Sequence, residues 1–157
     1  MSTLISDALS LGYTQLSKIT TNYKNETFWI LKNILKTSST SLLLNKSQSI
    51  DESKYHIFLK HINARCNRVP LQQILEKVSF YGRDFKIIKN VFIPRPETEL
   101  CIDILKKNHY NNKAVLEIGA GSGCISVTLE LEKLANYILS IDINKDAIIL
   151  AQDNATK

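Results

Sequence analysis

Three glycines within five positions, Gly119, Gly121 and Gly123, follow directly on the short apolar run 114–116. Glycine has no Cβ, so it adopts positive φ at little cost and lets backbone N–H groups approach a ligand closely. The apolar run predicts a β-strand that ends in a tight turn, and the residues from Cys124 onward predict the start of a helix. A strand, turn and helix in this order place the second half of the chain in the α/β class.

An acidic residue closes the next apolar run. Residues 137–141 lead into Asp142, about twenty residues after the glycine turn, where an acid can accept hydrogen bonds from both hydroxyls of a ribose. The turn and Asp142 together predict a pocket for a cofactor that contains adenosine. These two features alone leave the identity of the cofactor open.

Residues 1–75 predict an N-terminal helical bundle. Three segments carry apolar residues at helical spacing: about 5–19, 28–35 and 55–66. The polar run 37–41 predicts a loop. Ser49 with Glu52 has the form of a capping box at the start of the third helix.

From residue 76 the pattern changes to short β-like runs. Residues 78–81 and 84–88 flank Gly82 and Arg83, and they predict an antiparallel hairpin that turns at these two residues. Pro96 fits the first turn of a helix over about 97–107, because its missing N–H has no partner there in any case.

The elements after residue 113 run in the order strand, helix, strand, helix, with the last helix over about 146–155. This order is a βαβ unit followed by a helix. Two parallel strands are too few to bury both faces of such a sheet, so the α/β domain is incomplete. We therefore predict three parts: a helical domain 1–75, a hairpin linker 76–96 and an incomplete, Rossmann-like α/β domain 97–157.

Charge and composition restrict the class of protein. Residues 1–75 hold nine Lys and Arg against four Asp and Glu, whereas residues 76–157 hold eleven of each. The basic half indicates a solvated surface or a face for an acidic or RNA-containing partner, and direct nucleic-acid binding is not expected. No apolar run reaches about 18 residues and no basic segment opens the chain, so we expect a cytoplasmic protein without a membrane segment. The three cysteines predict reduced, buried thiols and no metal site.

The register of the glycines bears on the cofactor. The dinucleotide fingerprint G-x-G-x-x-G would place a third small residue at position 124, which is Cys124. The chain has G-x-G-x-G instead, with Glu117 two residues before the first glycine. This form is similar to motif I of the class I S-adenosylmethionine-dependent methyltransferases. The alternatives are an NAD-type Rossmann enzyme, which the register disfavours, and a turn that binds no ligand.

A proline-rich segment narrows the resemblance to one family. Residues 92–100, Phe-Ile-Pro-Arg-Pro-Glu-Thr-Glu-Leu, closely resemble the segment before motif I in the bacterial release factor glutamine methyltransferases. Residues 68–75 and 80–85 resemble that family's linker and hairpin, and residues 151–155 resemble the helix after its second strand. Over residues 1–64 only helical content and length agree.

The resemblance implies an activity and a partner. Such an enzyme transfers a methyl group from S-adenosylmethionine to the side-chain amide nitrogen of a glutamine in a peptide chain release factor, in translation termination. The family's catalytic Asn-Pro-Pro-Tyr is absent, because the three prolines, Pro70, Pro94 and Pro96, all precede the glycine turn. We therefore expect the catalytic residues beyond Lys157 and no activity from this chain alone. The alternative is an inactive, truncated remnant or a cofactor-binding fragment.

The resemblance also implies which residues bind the cofactor. The backbone of the three turn glycines would run alongside the methionine part of the cofactor. Glu117 would lie near the amino group, Asp142 would accept from the ribose hydroxyls, and Ile143 would pack on the adenine.

Arg95 and Thr98 would stand at the mouth of the same pocket. For Arg95, the alternative interpretation is an ion pair with Glu97 or Glu99. For Thr98, the alternative is a residue of the first helical turn without a role in binding.

Overall fold

The computed structural model describes residues 3–109 and 113–156. The chain divides into two compact units, Met1–Leu75 and Glu76–Lys157. Helices fill the first unit, while the second mixes strands and helices, so the predicted α/β class is confirmed. The division into three parts with a separate hairpin linker stays a prediction.

The first unit is a bundle of helices around one apolar core. Its helices are α1 (Ile5–Leu16), α2 (Tyr23–Leu35), α3 (Ser39–Leu44), α4 (Glu52–Cys66) and α5 (Leu71–Leu75). The short strand β1 (Thr3–Leu4) pairs antiparallel with β2 (Ser49–Ile50). Leu16, Ile30 and Phe58 are fully buried at the centre of this core. The apolar spacing that predicted three helices therefore reflects real core-facing stripes.

Two local predictions in this unit are wrong. The run 37–41 is not all loop, because α3 begins at Ser39, the Ser38 side chain accepts from the Ser41 N–H, and the helix buries Leu42 in the core. Ser49 does not cap α4 either, since it lies in β2. The cap is Asp51, whose carboxylate accepts from the N–H groups of the first turn of α4.

The second unit opens with the predicted hairpin. Its elements are β3 (Lys77–Phe80), β4 (Arg83–Lys86), a 3₁₀ turn (Pro96–Thr98), α6 (Glu99–Lys107), β5 (Lys113–Ile118), α7 (Cys124–Leu131), β6 (Ala135–Ile141) and α8 (Lys145–Ala155). The turn lies one residue earlier than predicted: Tyr81 and Gly82, with φ of 50° and 74°, form it, and Arg83 already pairs with Phe80 as the first residue of β4. Positive φ at both positions matches the twist of a hairpin. The α-helix after Pro96 begins at Glu99, because the first three residues form the 3₁₀ turn.

Strands β5 and β6 pair in parallel, with Leu116 opposite Leu139 and Ile118 opposite Ile141. One face of this sheet contributes Val115 and Ile138 to a core with residues of the hairpin, α6 and α7. The other face, here called the open sheet face, leaves five large apolar side chains between 45% and 77% exposed. They are Leu116, Ile118, Tyr137, Leu139 and Ile141.

Two further expectations concern cysteines and membranes. Cys124 is buried and Cys66 half-buried, but Cys101 is exposed, so the expectation of three buried thiols is wrong for Cys101. None of the helices in the described part of the chain has the length and apolar character needed to span a membrane.

Candidate cofactor site

The glycine turn lies at the carboxyl ends of β5 and β6. Gly119, Gly121 and Gly123 all have positive φ, at 85°, 55° and 74°. The N–H groups of Gly119 and Ala120 donate to the carbonyl of Ile141, at 2.8 and 3.0 Å. The turn is thus attached to the end of the neighbouring strand, which is where ligands bind in open α/β sheets.

The three glycines serve two different purposes. A Cβ built on Gly119 or Gly121 would meet nothing within 4 Å, so free space adjoins the backbone at both positions. A Cβ on Gly123 would lie 2.9 Å from the Cβ of Ala151 in α8. Gly119 and Gly121 therefore leave room for a ligand, whereas Gly123 allows α7 to pack closely on α8.

Asp142 faces the turn. One carboxylate oxygen accepts from the N–H of Gly121 at 2.8 Å and the other from the N–H of Asn144 at 2.9 Å. These bonds hold the pKa of Asp142 below its ordinary value, with the Asn144 bond as the largest cause. Each oxygen of a carboxylate has a further lone pair, so Asp142 can still accept from a ligand. Sequence reasoning found Asp142 but missed its bond to Gly121.

Glu117 lies within the sheet, opposite Ser140 in the register. Its Oε2 accepts from the Ser140 hydroxyl at 2.9 Å. Its Oε1 is buried and has no partner at hydrogen-bond distance in the described part of the chain, although the hydroxyl and N–H of Ser126 lie near enough to lower the pKa of Glu117. Burial raises the pKa of Glu117 above its ordinary value, and hydrogen bonding from Ser126 and then from Ser140 opposes this rise. A buried acceptor without a partner is costly, and it fits the donor group of a ligand.

The remaining predicted residues lie at the surface. Ile143 follows Asp142 and is fully exposed. Thr98 is half-buried in the 3₁₀ turn, and the Arg95 guanidinium carbon lies 5.8 Å from the ring centre of Phe92. Within residues 3–109 and 113–156, neither the Arg95 nor the Thr98 side chain forms a hydrogen bond or ion pair with the glycine turn.

The alternative for Arg95, an ion pair with a nearby glutamate, does not occur in the described residues. The carboxylate of Glu99 instead accepts from the backbone N–H of Tyr81 at 2.9 Å. That bond ties α6 to the turn of the hairpin.

These observations fit a ligand that brings hydrogen-bond donors to the turn, as a cofactor that contains adenosine does. Two positions have room beside a positive-φ backbone, Asp142 bonds to that backbone, and Glu117 lies two residues before it in β5. Glu117 offers an unpaired buried oxygen and Asp142 offers free lone pairs. No set of three His, Cys, Asp or Glu side chains suited to a metal ion lies within the described residues.

Comparison with known proteins covers both units. Residues 7–75 match the family model described as the PrmC N-terminal domain. Residues 95–157 match the model of ribosomal protein L11 methyltransferase (PrmA). The first match strengthens the resemblance over residues 1–64, where the sequence alone offered only helical content and length.

Curated relatives agree with these models. The release factor glutamine methyltransferase of Bacillus cereus is 36% identical over 131 residues, which are 80% of this chain and 46% of the relative. The proteins of the same name from Clostridium acetobutylicum and Aquifex aeolicus are 32% and 31% identical, over 96% and 89% of this chain and 54% and 50% of the relatives. The chain spans about half the length of the curated relatives it matches. The family predicted from the proline-rich segment and motif I is thereby confirmed: the chain belongs to the release factor glutamine methyltransferases.

Proposed function

We propose that this chain binds S-adenosylmethionine at the glycine turn and forms the cofactor-binding half of an enzyme that methylates a glutamine side chain in a peptide chain release factor. The observation that carries the proposal is the free space beside Gly119 and Gly121, with the Asp142 carboxylate bonded to Gly121 and Glu117 near the end of β5. The names of the relatives supply the substrate.

Each residue of the site has a distinct task in this proposal. Asp142 accepts from the ribose hydroxyls while it holds the Gly121 N–H in place. The free oxygen of Glu117 accepts from the amino group of the cofactor, directly or through water. Ile143 covers the adenine, and Arg95 and Thr98 border the entrance.

The cofactor would supply a methyl group bound to a positively charged sulfonium sulfur, and a neutral thioether would leave when the methyl group is transferred. An amide nitrogen is a poor nucleophile, because its lone pair is delocalised into the carbonyl. The protein therefore has to align this nitrogen with the methyl group, and alignment contributes up to about 7–11 kcal/mol to lowering a barrier. The Asn-Pro-Pro-Tyr that holds the glutamine amide in the family is not among the 157 residues. We propose that this chain provides cofactor binding and that methyl transfer needs those further residues.

Two alternatives predict different ligands or outcomes. A fragment that binds the cofactor without any part in catalysis is favoured by the missing Asn-Pro-Pro-Tyr. An NAD-type enzyme would use the same strand ends, but the glycine register and the proline-rich segment oppose it.

Calorimetry on the 157-residue chain tests cofactor binding. We expect S-adenosylmethionine and S-adenosylhomocysteine to bind and NADH not to bind. Asp142→Ala should weaken binding by about 1.5–3 kcal/mol, or roughly 10- to 150-fold, the range for hydrogen bonds to a charged group. Asp146→Ala is the matched control, because Asp146 is exposed at the start of α8. Unchanged affinity in a folded Asp142→Ala variant would remove Asp142 from the site.

A transfer assay tests the second part of the proposal. The chain is incubated with radiolabelled S-adenosylmethionine and a release factor, with and without a polypeptide that carries the remaining half of a relative. We expect no methylation by the chain alone and methylation in the combined reaction. Methyl transfer by the chain alone would contradict the assignment of catalysis to residues outside it, and none in the combined reaction would favour the non-catalytic fragment.

A further inference from the structure

Helix α8 contacts the glycine turn through a buried asparagine. Asn154 is only 6% exposed. Its Nδ2 donates to the carbonyl of Ser122, within the turn, at 2.9 Å, and to the carbonyl of Lys86, in β4, at 3.1 Å. Its Oδ1 accepts from the N–H of Lys86 at 2.9 Å. Both amide hydrogens and the amide oxygen of this side chain therefore have partners.

We infer that Asn154 is a positioning residue, which fixes the glycine turn to the hairpin and so sets the shape of the cofactor site. The consequence for the cofactor rests on the function proposed above. The mechanical coupling between α8, the turn and β4 rests on the three hydrogen bonds alone.

The glycine turn needs such an external restraint. A backbone with three glycines in five residues has more conformational freedom than any other, and it loses that freedom when the turn is ordered. Asp142 holds the turn at Gly121, and Asn154 holds it one residue later, at Ser122. Two side chains from different parts of the unit thus bond to the backbone of two successive residues of the turn.

The two hydrogen bonds between Asn154 and the Lys86 backbone couple the position of the turn to that of β4. Asn154 engages both the N–H and the carbonyl of Lys86, as a neighbouring strand would. A displacement of β4 would therefore move the Asn154 amide and, through it, the Ser122 carbonyl. Loss of the side chain would leave the Ser122 carbonyl and the two Lys86 backbone groups without this partner, and unpaired polar groups that are buried or partly buried are costly.

The neighbouring residue provides a matched control. The Asp153 carboxylate lies 3.2 Å from Nζ of Lys86, so it joins the same helix to the same strand. Both side chains of this ion pair are about half exposed, and within the described residues neither side chain is hydrogen-bonded to the turn. Asp153→Asn therefore removes a link between α8 and β4 while leaving the turn bond in place.

Selective labelling with ¹⁵N-glycine allows a direct test. The chain has five glycines, so five amide signals report on Gly12 in α1, Gly82 in the hairpin and the three turn positions. In Asn154→Ala we expect the Gly121 and Gly123 signals to shift or broaden while Gly12 stays unchanged. S-adenosylhomocysteine affinity should fall about 10-fold, as the loss of one or two buried hydrogen bonds implies. Asp153→Asn should leave the turn signals and the affinity unchanged.

Two further variants separate positioning from stability. Leu150→Ala removes a fully buried side chain from the same helix without touching the turn bond, and the affinity of the folded variant should stay near that of the parent. Asn154→Ser is the gentler variant should Asn154→Ala fail to fold, and the same signals are read from it.

The outcomes distinguish this inference from the proposed function. Unchanged Gly121 and Gly123 signals in either Asn154 variant would overturn the inference. An affinity loss in Leu150→Ala equal to that in Asn154→Ala would also overturn it, because stability alone would then explain the effect. Failure of the parent chain to bind S-adenosylhomocysteine would contradict the proposed function, while the glycine signals would still decide the coupling.

Discussion

The two units bury their apolar residues in different ways. In the first unit the helices surround the core, and Leu16, Ile30 and Phe58 have no exposed surface. In the second unit the β5–β6 sheet is covered on one face only, and the open sheet face leaves its five apolar side chains in solvent. Helices satisfy their backbone hydrogen bonds internally, whereas strands need neighbours, so a pair of parallel strands depends more strongly on what covers it.

The glycine turn depends less than the two strands on elements that would cover the open sheet face. The turn is held by Asp142 and Asn154, which both belong to the second unit. A groove of about 390 Å³ between α7, α8 and β6 adds to the uncovered apolar surface of this unit. The second unit thus combines an incompletely covered sheet with a well-restrained turn. Substitutions can test these two properties independently.

The largest effect is expected at the turn. Gly121→Val should abolish S-adenosylmethionine binding, because valine resists positive φ and its side chain occupies the ligand space. Gly82→Val is the control, since Gly82 has a similar φ of 74° and equally free surroundings in the hairpin. Calorimetry gives the affinities, and circular dichroism shows whether the helical unit stays folded. Binding that survives in Gly121→Val would mean that the free space beside the turn is not the cofactor site.

The contrast between the two cores should appear in stability. Phe58→Ala should destabilise the first unit by about 3–5 kcal/mol, as truncation of a buried aromatic side chain does. Leu139→Ser, on the open sheet face, should change stability by less than about 1 kcal/mol, because this side chain is already half exposed. Denaturant unfolding followed by Trp29, the single tryptophan, reports on the first unit and circular dichroism reports on both. Equal losses in the two variants would show that the open sheet face is buried in solution.

The smallest effect concerns Glu117. Burial raises its folded-state pKa above the ordinary value of 4.5, so the ionised form opposes folding at neutral pH. Glu117→Gln should therefore raise stability at pH 7, by no more than about 1 kcal/mol, while it weakens cofactor binding. The gain should shrink as the pH falls below the folded-state pKa and disappear below the unfolded-state value of 4.5, where the parent carboxyl is neutral in both states. Glu130→Gln, at an exposed position of α7, should show neither effect. A loss of stability at pH 7 in Glu117→Gln would contradict the unfavourable burial of the charge.

Sequence reasoning found the features that depend on short spacings. The glycine turn, the acid at the end of the next strand and the hairpin turn at Gly82 each follow from residues close together in the chain. The short helices α3 and α5 were missed, because tertiary burial of Leu42 and Ile74 decides them more than local propensity does.

Bonds between distant residues were also beyond the sequence. Asn154 pairs with Ser122, 32 residues earlier, and with Lys86, 68 residues earlier. The close approach of Gly123 to Ala151 likewise depends on how α8 packs, so the sequence alone could not explain why position 123 requires glycine. A buried asparagine on an otherwise apolar helix face is the one sequence signal that could have indicated such a link.

Hydrogen exchange of the 157-residue chain, with and without S-adenosylhomocysteine, tests most directly whether the glycine turn of the second unit binds the cofactor. We expect the ligand to slow exchange in peptides that cover 117–123 and 141–144 and to leave peptides of residues 3–75 unchanged. Without ligand, the helices of the first unit should be better protected than β5 and β6, as their closed core implies. Ligand protection in the first unit, or none in 117–123, would contradict the cofactor site described here.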